Sequence, residues 1–165
     1  MRILIATDAW HPQVNGVVRT LTSLSRAAAT LGVEITFLTP DGFPSVGVPT
    51  YPGLRLAVPN RREIARRIEA AAPEAIHIAT EGPIGWSVRA YCRRHKLPFT
   101  TSYTTRFPEY VSVRTGIPLS WGYAVMRLFH GASSTIMVAT DSLRQELAER
   151  GFKRIGAWTR WTERQ

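Results

Sequence analysis

The residues near the start of the chain that are best suited to chemistry are Asn15, Gly16 and Val17. They end a loop that follows the apolar run Ile3-Leu4-Ile5-Ala6, and a helical pattern begins at the glycine. A glycine at such a junction lets a ligand come close to the backbone, and the unsatisfied N–H groups of a first helical turn attract a phosphate. Asn-Gly is equally a common turn pair, so this segment alone leaves a phosphate cradle and a plain turn both open. The junction does not read Gly-x-Gly-x-x-Gly, and no Gly-Lys-Ser/Thr loop occurs in the chain. Ordinary dinucleotide-binding and P-loop readings therefore lose their main support. Two further polar loops follow apolar runs, Thr80-Glu81-Gly82-Pro83 and Tyr103-Thr104-Thr105-Arg106.

The elements that would position these loops alternate regularly. A strand over residues 3–6 leads to a helix over 16–31, closed by Gly32, and then to a strand over 34–39, which makes one β-α-β unit. Residues 40–53, rich in Gly and Pro, read as loop, with a short strand over 54–58. Asn60 and Glu63 form a capping-box pattern opening a helix to Ala72, with Ile64, Ile68 and Ala71 as the buried stripe and the arginines facing out; Pro73 ends it. A strand over 75–79, a helix to His95, a strand over 98–103, a polar loop over 106–118, a helix over 119–129, a strand over 135–138, a helix over 141–150 and a short strand over 154–157 complete the pattern. Such alternation predicts an α/β fold with a parallel sheet and helices on both faces, with ligands gathering beyond the carboxyl ends of the strands. By topology the three polar loops are expected to line one crevice.

At 165 residues with 44% hydrophobic residues, the chain is long and apolar enough for one globular domain. No apolar run approaches the roughly 20 residues that span a bilayer. Cys92 is the single cysteine, so neither a disulfide framework nor a cysteine zinc site can form within the chain, and a cytoplasmic setting is the default expectation. His11, His77, His95 and His130 lack metal-ligand spacing, and no metal is expected. The net charge is +9. Arg61, Arg62, Arg66 and Arg67 form one basic group, and Arg89, Arg93, Arg94 and Lys96 another. Solvated helix faces, an anionic membrane surface and nucleic acid would each accommodate them. Aromatic residues are not interleaved with the basic runs as a single-strand-binding platform requires, and no nucleic-acid motif is present.

Read in order, Asp8-x-x-x-Pro12-x-x-Asn15-Gly16-Val17, Thr80-Glu81-Gly82-Pro83-x-Gly85 and Thr101-Ser102-Tyr103-x-Thr105-x-Phe107-Pro108 resemble the N-terminal half of family 4 glycosyltransferases, nearest to the bacterial α-mannosyltransferase and glycolipid-forming branch. The similarity covers residues 1–158. It implies a Rossmann-like domain, one half of the two-domain GT-B architecture. It also implies retaining transfer of a sugar, in this branch mannose, from a nucleotide-diphosphate donor to a lipid or glycan acceptor, without a metal or other cofactor. In this picture Asn15, Gly16 and Val17 meet the donor diphosphate, while Glu81, Gly82, Tyr103 and Arg106 lie on the acceptor side. Each has a plainer alternative. Glu81 would cap the helix beginning near Pro83, Tyr103 would pack beneath its loop, and Arg106 would pair with Glu109 at the surface.

Two departures from the family pattern stand out. The relatives commonly carry Ser-Tyr-His-Thr in the third loop, with the histidine in the cleft, where this chain has Ser102-Tyr103-Thr104-Thr105. A threonine hydroxyl exchanges one hydrogen bond but holds no charge and shuttles no proton near neutral pH. Losing such a group costs on the order of 10²- to 10⁴-fold in rate. The relatives also continue from a Trp-x-Arg segment into the donor-binding domain, whereas here residues 159–165 form a divergent tail. The expectation is a truncated acceptor-side domain with little turnover alone, lying in the cytoplasm or peripherally at the inner face of the plasma membrane. The alternatives are half of a split enzyme, completed by a separate C-terminal half, and a non-catalytic binding domain that keeps the fold.

Overall fold

Strand β1 (Arg2–Ala6) is the centre of the first half of the protein, because its side chains are apolar on both faces. A computed structural model describes residues 1–10, 16–49, 51–104 and 106–157. They fall into two compact units, which meet in sequence between Phe99 and Thr100. No change of composition in the sequence marks that boundary.

In the first unit β1 pairs in parallel with β2 (Glu34–Leu38) on one side and with β5 (Ala75–Ile78) on the other. Period-2 alternation splits the apolar residues between two layers. Ile3 and Ile5 of β1 join Ile35 and Phe37 of β2 beneath Val17 and Leu21 of helix α1 (Gly16–Thr30). Ala6 and Ile78 share a register position on the opposite face, where Ile78 lies against Gly85 of helix α3 (Pro83–Arg94). Helix α2 (Arg61–Ala71) packs against β1, β2 and α3 through buried Ile64 and Ile68. Each such buried aliphatic side chain contributes about 1.5–3 kcal/mol relative to exposure.

The capping reading of α2 holds: Asn60 is extended and its side chain accepts from the Glu63 N–H at 2.8 Å. Two other expectations need correction. Residues 40–58 are not loop followed by one short strand but an antiparallel hairpin, β3 (Ser45–Val48) with β4 (Tyr51–Ala57). Its residues lack the alternation of a half-buried strand, and cross-strand pairing holds them instead. Arg67 also departs from the outward-facing set. Its guanidinium lies 4.1 Å from the centroid of the Phe43 ring, donates to the carbonyls of Thr39 and Asp41 at 3.2 and 2.7 Å, and pairs with Glu63 at 2.9 Å.

In the second unit β7 (Thr135–Val138) lies between β6 (Thr100–Ser102) and β8 (Ile155–Ala157), again all parallel. Its core joins Tyr103, Tyr123, Met126, Ile136, Val138, Leu147 and Phe152. Tyr123 and Met126 come from α5 (Leu119–Gly131), and Leu147 from α6 (Asp141–Glu149). The segment read as a polar loop contains helix α4 (Phe107–Thr115). It has no consistent apolar stripe, so periodicity could not reveal it; it forms against α5, where a Cβ at Gly122 would overlap Pro108. Six parallel strands among the described residues, three in each unit, establish the α/β, Rossmann-like class.

His77 alternates with the buried Ile76 and Ile78 on β5, and enclosure of its ring pushes its pKa down to about 4. The unfolded chain binds this proton near pH 6.5 and the folded chain near 4, so the contribution to stability is present above pH 6.5 and is lost as pH falls through about 4. Urea unfolding at pH 7 and pH 4 should show the parent losing about 3 kcal/mol more than His77→Gln across that interval. Equal losses would remove His77 from the pH dependence.

Candidate functional site

Asp8, the second residue after β1, ties the first two polar loops together. Its backbone N–H donates to the Thr80 hydroxyl at 2.7 Å, and that hydroxyl donates back to Asp8 Oδ2 at 2.7 Å. The carboxylate then accepts from the backbone N–H groups of Ile84 at 2.7 Å and Gly85 at 3.3 Å. These are orphan donors of the first turn of α3, so an acid on one loop caps the helix of the next. Burial pushes the Asp8 carboxyl above its ordinary range, while the bonds from Thr80, Ile84, Gly85 and Gly82 pull it back.

Two glycines make room for this arrangement. A Cβ at Gly82 would overlap the Asp8 carboxylate, and one at Gly85 would overlap the Thr80 carbonyl. Gly82, placed on the acceptor side by the resemblance, thus has a demonstrable packing reason of its own. The N-cap of α3 is Gly82, which offers no side chain, and Asp8 supplies capping oxygens to the Ile84 and Gly85 N–H groups. The sequence signal was the acid immediately beyond an apolar strand, but its partner lies 76 residues away.

Gly16 opens α1 and is exposed, and beyond its chain neighbours and its own helix no atom of the described residues lies within 4 Å of the position a Cβ would occupy. Val17 turns its side chain toward Ile5, Leu21 and Ala79, leaving its backbone as the group available to a ligand. Asn15 lies outside the described residues, as do Thr105, Trp158 and the 159–165 tail.

On the second unit, Thr104 is exposed just past β6 and follows Tyr103, which is 1% exposed. The Tyr103 ring packs in the core, 5.9 Å from the Phe152 centroid and edge-on to it, while its N–H extends the ladder to Met137. This is the packing arrangement that the sequence left open beside the acceptor-side one. Arg106 makes a two-pronged ion pair with Glu146 of α6, both N–O distances being 2.8 Å. The expected partner Glu109 is instead bonded by the Tyr123 hydroxyl. Burial and Glu109 together push the Tyr123 phenol up to about 12. Among the described residues no group of three or more His, Cys, Asp or Glu side chains could hold a metal ion.

Parallel strands joined by helices, with polar loops at the strand carboxyl ends, define a Rossmann-like domain of the ligand-binding kind. The model of Glycosyltransferase Family 4 matches residues 14–160, and the chain belongs to that family. It is 24% identical over 180 residues to a GDP-mannose-dependent alpha-mannosyltransferase of Mycobacterium tuberculosis (strain CDC 1551 / Oshkosh). That alignment takes in 97% of this chain and 47% of the relative, so the chain spans about half the length of that protein.

Replacing Asp8 by Asn leaves one oxygen for three donors and turns an amide N–H toward the Thr80 hydroxyl. Thermal or urea unfolding should show a loss of about 2–3 kcal/mol. Gly85→Ala, which drives a methyl into a backbone carbonyl, should cost at least as much. A change below about 0.5 kcal/mol in either variant would contradict the arrangement.

Proposed function

We propose that this domain is the acceptor-side half of a retaining glycosyltransferase that moves a hexose, mannose in the first instance, from a nucleotide-diphosphate sugar to a lipid or glycan acceptor. The observation that carries the reading is the family match across residues 14–160. The relative's GDP-mannose dependence, at 24% identity, supports the choice of sugar. In this reading the N–H groups at the start of α1, at Gly16 and Val17 with Asn15 beside them, receive the donor diphosphate. No metal is required, because helix-start N–H groups supply positive potential in its place. Glu81 and Gly82 line the acceptor side of the same unit. Tyr103 acts by anchoring the loop that presents Thr104, and Arg106 reaches an acceptor phosphate by exchanging Glu146 for it, since a guanidinium fork fits either oxyanion.

Transition-state stabilisation in such an enzyme draws on groups from both walls of a cleft, so turnover depends on a donor-binding domain acting with this one. The setting we propose is the cytoplasm. Among the described residues no helix is long and apolar enough to cross a membrane. Peripheral contact with anionic lipid would rest on Arg61 and Arg62, because Glu63 holds both Arg66 and Arg67. A second reading, a binding domain that has kept the fold and lost the chemistry, is favoured by the threonine at position 104.

The test is a transfer assay with labelled GDP-mannose and a phosphoglycolipid acceptor, using this chain together with a donor-binding domain of the family. Transfer is expected only when both are present. Gly16→Val fills open space and should leave the melting temperature unchanged while lowering transfer by at least about tenfold. Thr104→His should raise transfer by about 10²-fold. No transfer with either residue at position 104 would favour the binding-domain reading.

A further inference from the structure

A cavity of about 370 Å³ lies on the first unit, lined by the start of α2 and by helix α3. Pro59, Ile64, Trp86 and Ala90 form its apolar lining, and Arg61 and Arg94 supply its charge. The two arginines differ from most others that are well placed to pair. Arg2 pairs with Glu74, Arg66 and Arg67 with Glu63, and Arg106 with Glu146. Among the described residues, Arg61 and Arg94 make no ion pair with a carboxylate. Arg93 stands beside Arg94 at the end of α3, and Arg89 sits over the Trp86 ring at 5.2 Å. Burial, and next the charge of Arg93, push the Arg89 guanidinium below its ordinary pKa.

Arg61 and Arg62 also break a local rule. They are the first two residues of α2, where the helix end carries positive partial charge and acidic residues are favoured. Asn60 caps this start and Glu63 lies in its first turn, but the Glu63 carboxylate is engaged by Arg66 and Arg67 and not by Arg61 or Arg62. An anion in the cavity would reverse the sign of the interaction with the helix end and with both guanidinium groups. The indole adds a flat face suited to a ring. We propose that this cavity binds a phosphorylated ring compound, its phosphate held by Arg61 and Arg94 and its ring laid on Trp86. The proposal stands independently of the glycosyltransferase reading, since it uses neither the α1 start nor the loop at Thr104.

Calorimetric titration of the intact chain with glucose 6-phosphate, glucose and inorganic phosphate tests it. Glucose 6-phosphate is expected to bind at least about tenfold more tightly than either fragment, and salt should weaken it. The exposed pair Arg61→Ala with Arg94→Ala should lose about tenfold in affinity, and Trp86→Ala about fivefold, with circular dichroism confirming the fold. Should Trp86→Ala unfold, the arginine pair decides the matter. Unchanged affinity in the arginine pair, or no binding of glucose 6-phosphate up to about 10 mM, overturns the proposal. Vesicles of phosphatidylglycerol identify the source of the phosphate. Retention that glucose 6-phosphate displaces and that the arginine pair abolishes assigns the site to a lipid headgroup, whereas retention insensitive to both, or none, assigns it to a soluble phosphate.

Discussion

The hydrogen bonding of one carboxylate sets the geometry of the first unit's functional end. Asp8 leaves β1 and closes on Thr80, at the end of the neighbouring strand's loop, and on the first turn of α3. Parallel strands have no hairpin to hold their carboxyl ends together, so side chains must do it. Here a charged acceptor satisfies several donors at once in a poorly solvated place, where each charge-assisted bond is worth more than its surface counterpart. The cost of burying the acid is visible in its raised pKa. The glycines at 82 and 85 follow from the same constraint, because any side chain there would occupy the space of the Asp8 carboxylate or the Thr80 carbonyl.

The second unit solves the equivalent problem with aromatic packing. Tyr103 is the first residue beyond β6, and its ring, together with Tyr123, His130 and Phe152, fills the core beside β7. His130 adds a buried bond of 2.7 Å between its Nδ1 and the Thr101 hydroxyl. Thr104 is therefore presented to solvent by a neighbour that cannot move without opening the core. The two-pronged pair of Arg106 with Glu146 is exposed on the arginine side, while the carboxylate is partly buried.

The formal charge of +9 conceals two populations of arginine. Some act as structural cross-links, of which Arg67 is the clearest: it joins α2 to the segment after β2 through two carbonyls, a carboxylate and the face of Phe43. Others, at the start of α2 and the end of α3, lack such compensation among the described residues. Composition counts both alike. A reading of basic charge as a surface for lipid or phosphate applies to the second population alone.

Much was legible in the sequence because it depends on neighbours within a few residues. Period-2 apolar runs placed the strands of the parallel sheet within a residue or two, Asn60 announced the start of α2, and three ordered motifs indicated the glycosyltransferase family that the match over residues 14–160 established. The hairpin over 45–57 and helix α4 escaped, since neither carries an apolar period and both exist by virtue of what they pair with or pack against. The same limit applies to the site. Residue types marked Gly16, Gly82 and Thr104 as worth attention, but only the tertiary structure decided that Asp8 caps α3, that Arg106 pairs with Glu146 rather than Glu109, and that Tyr103 belongs to the core. A hydrogen bond or a packing contact is made with whatever the fold brings within about 3–4 Å. For these residues the partner comes from a different element, at a separation along the chain that local pattern does not encode.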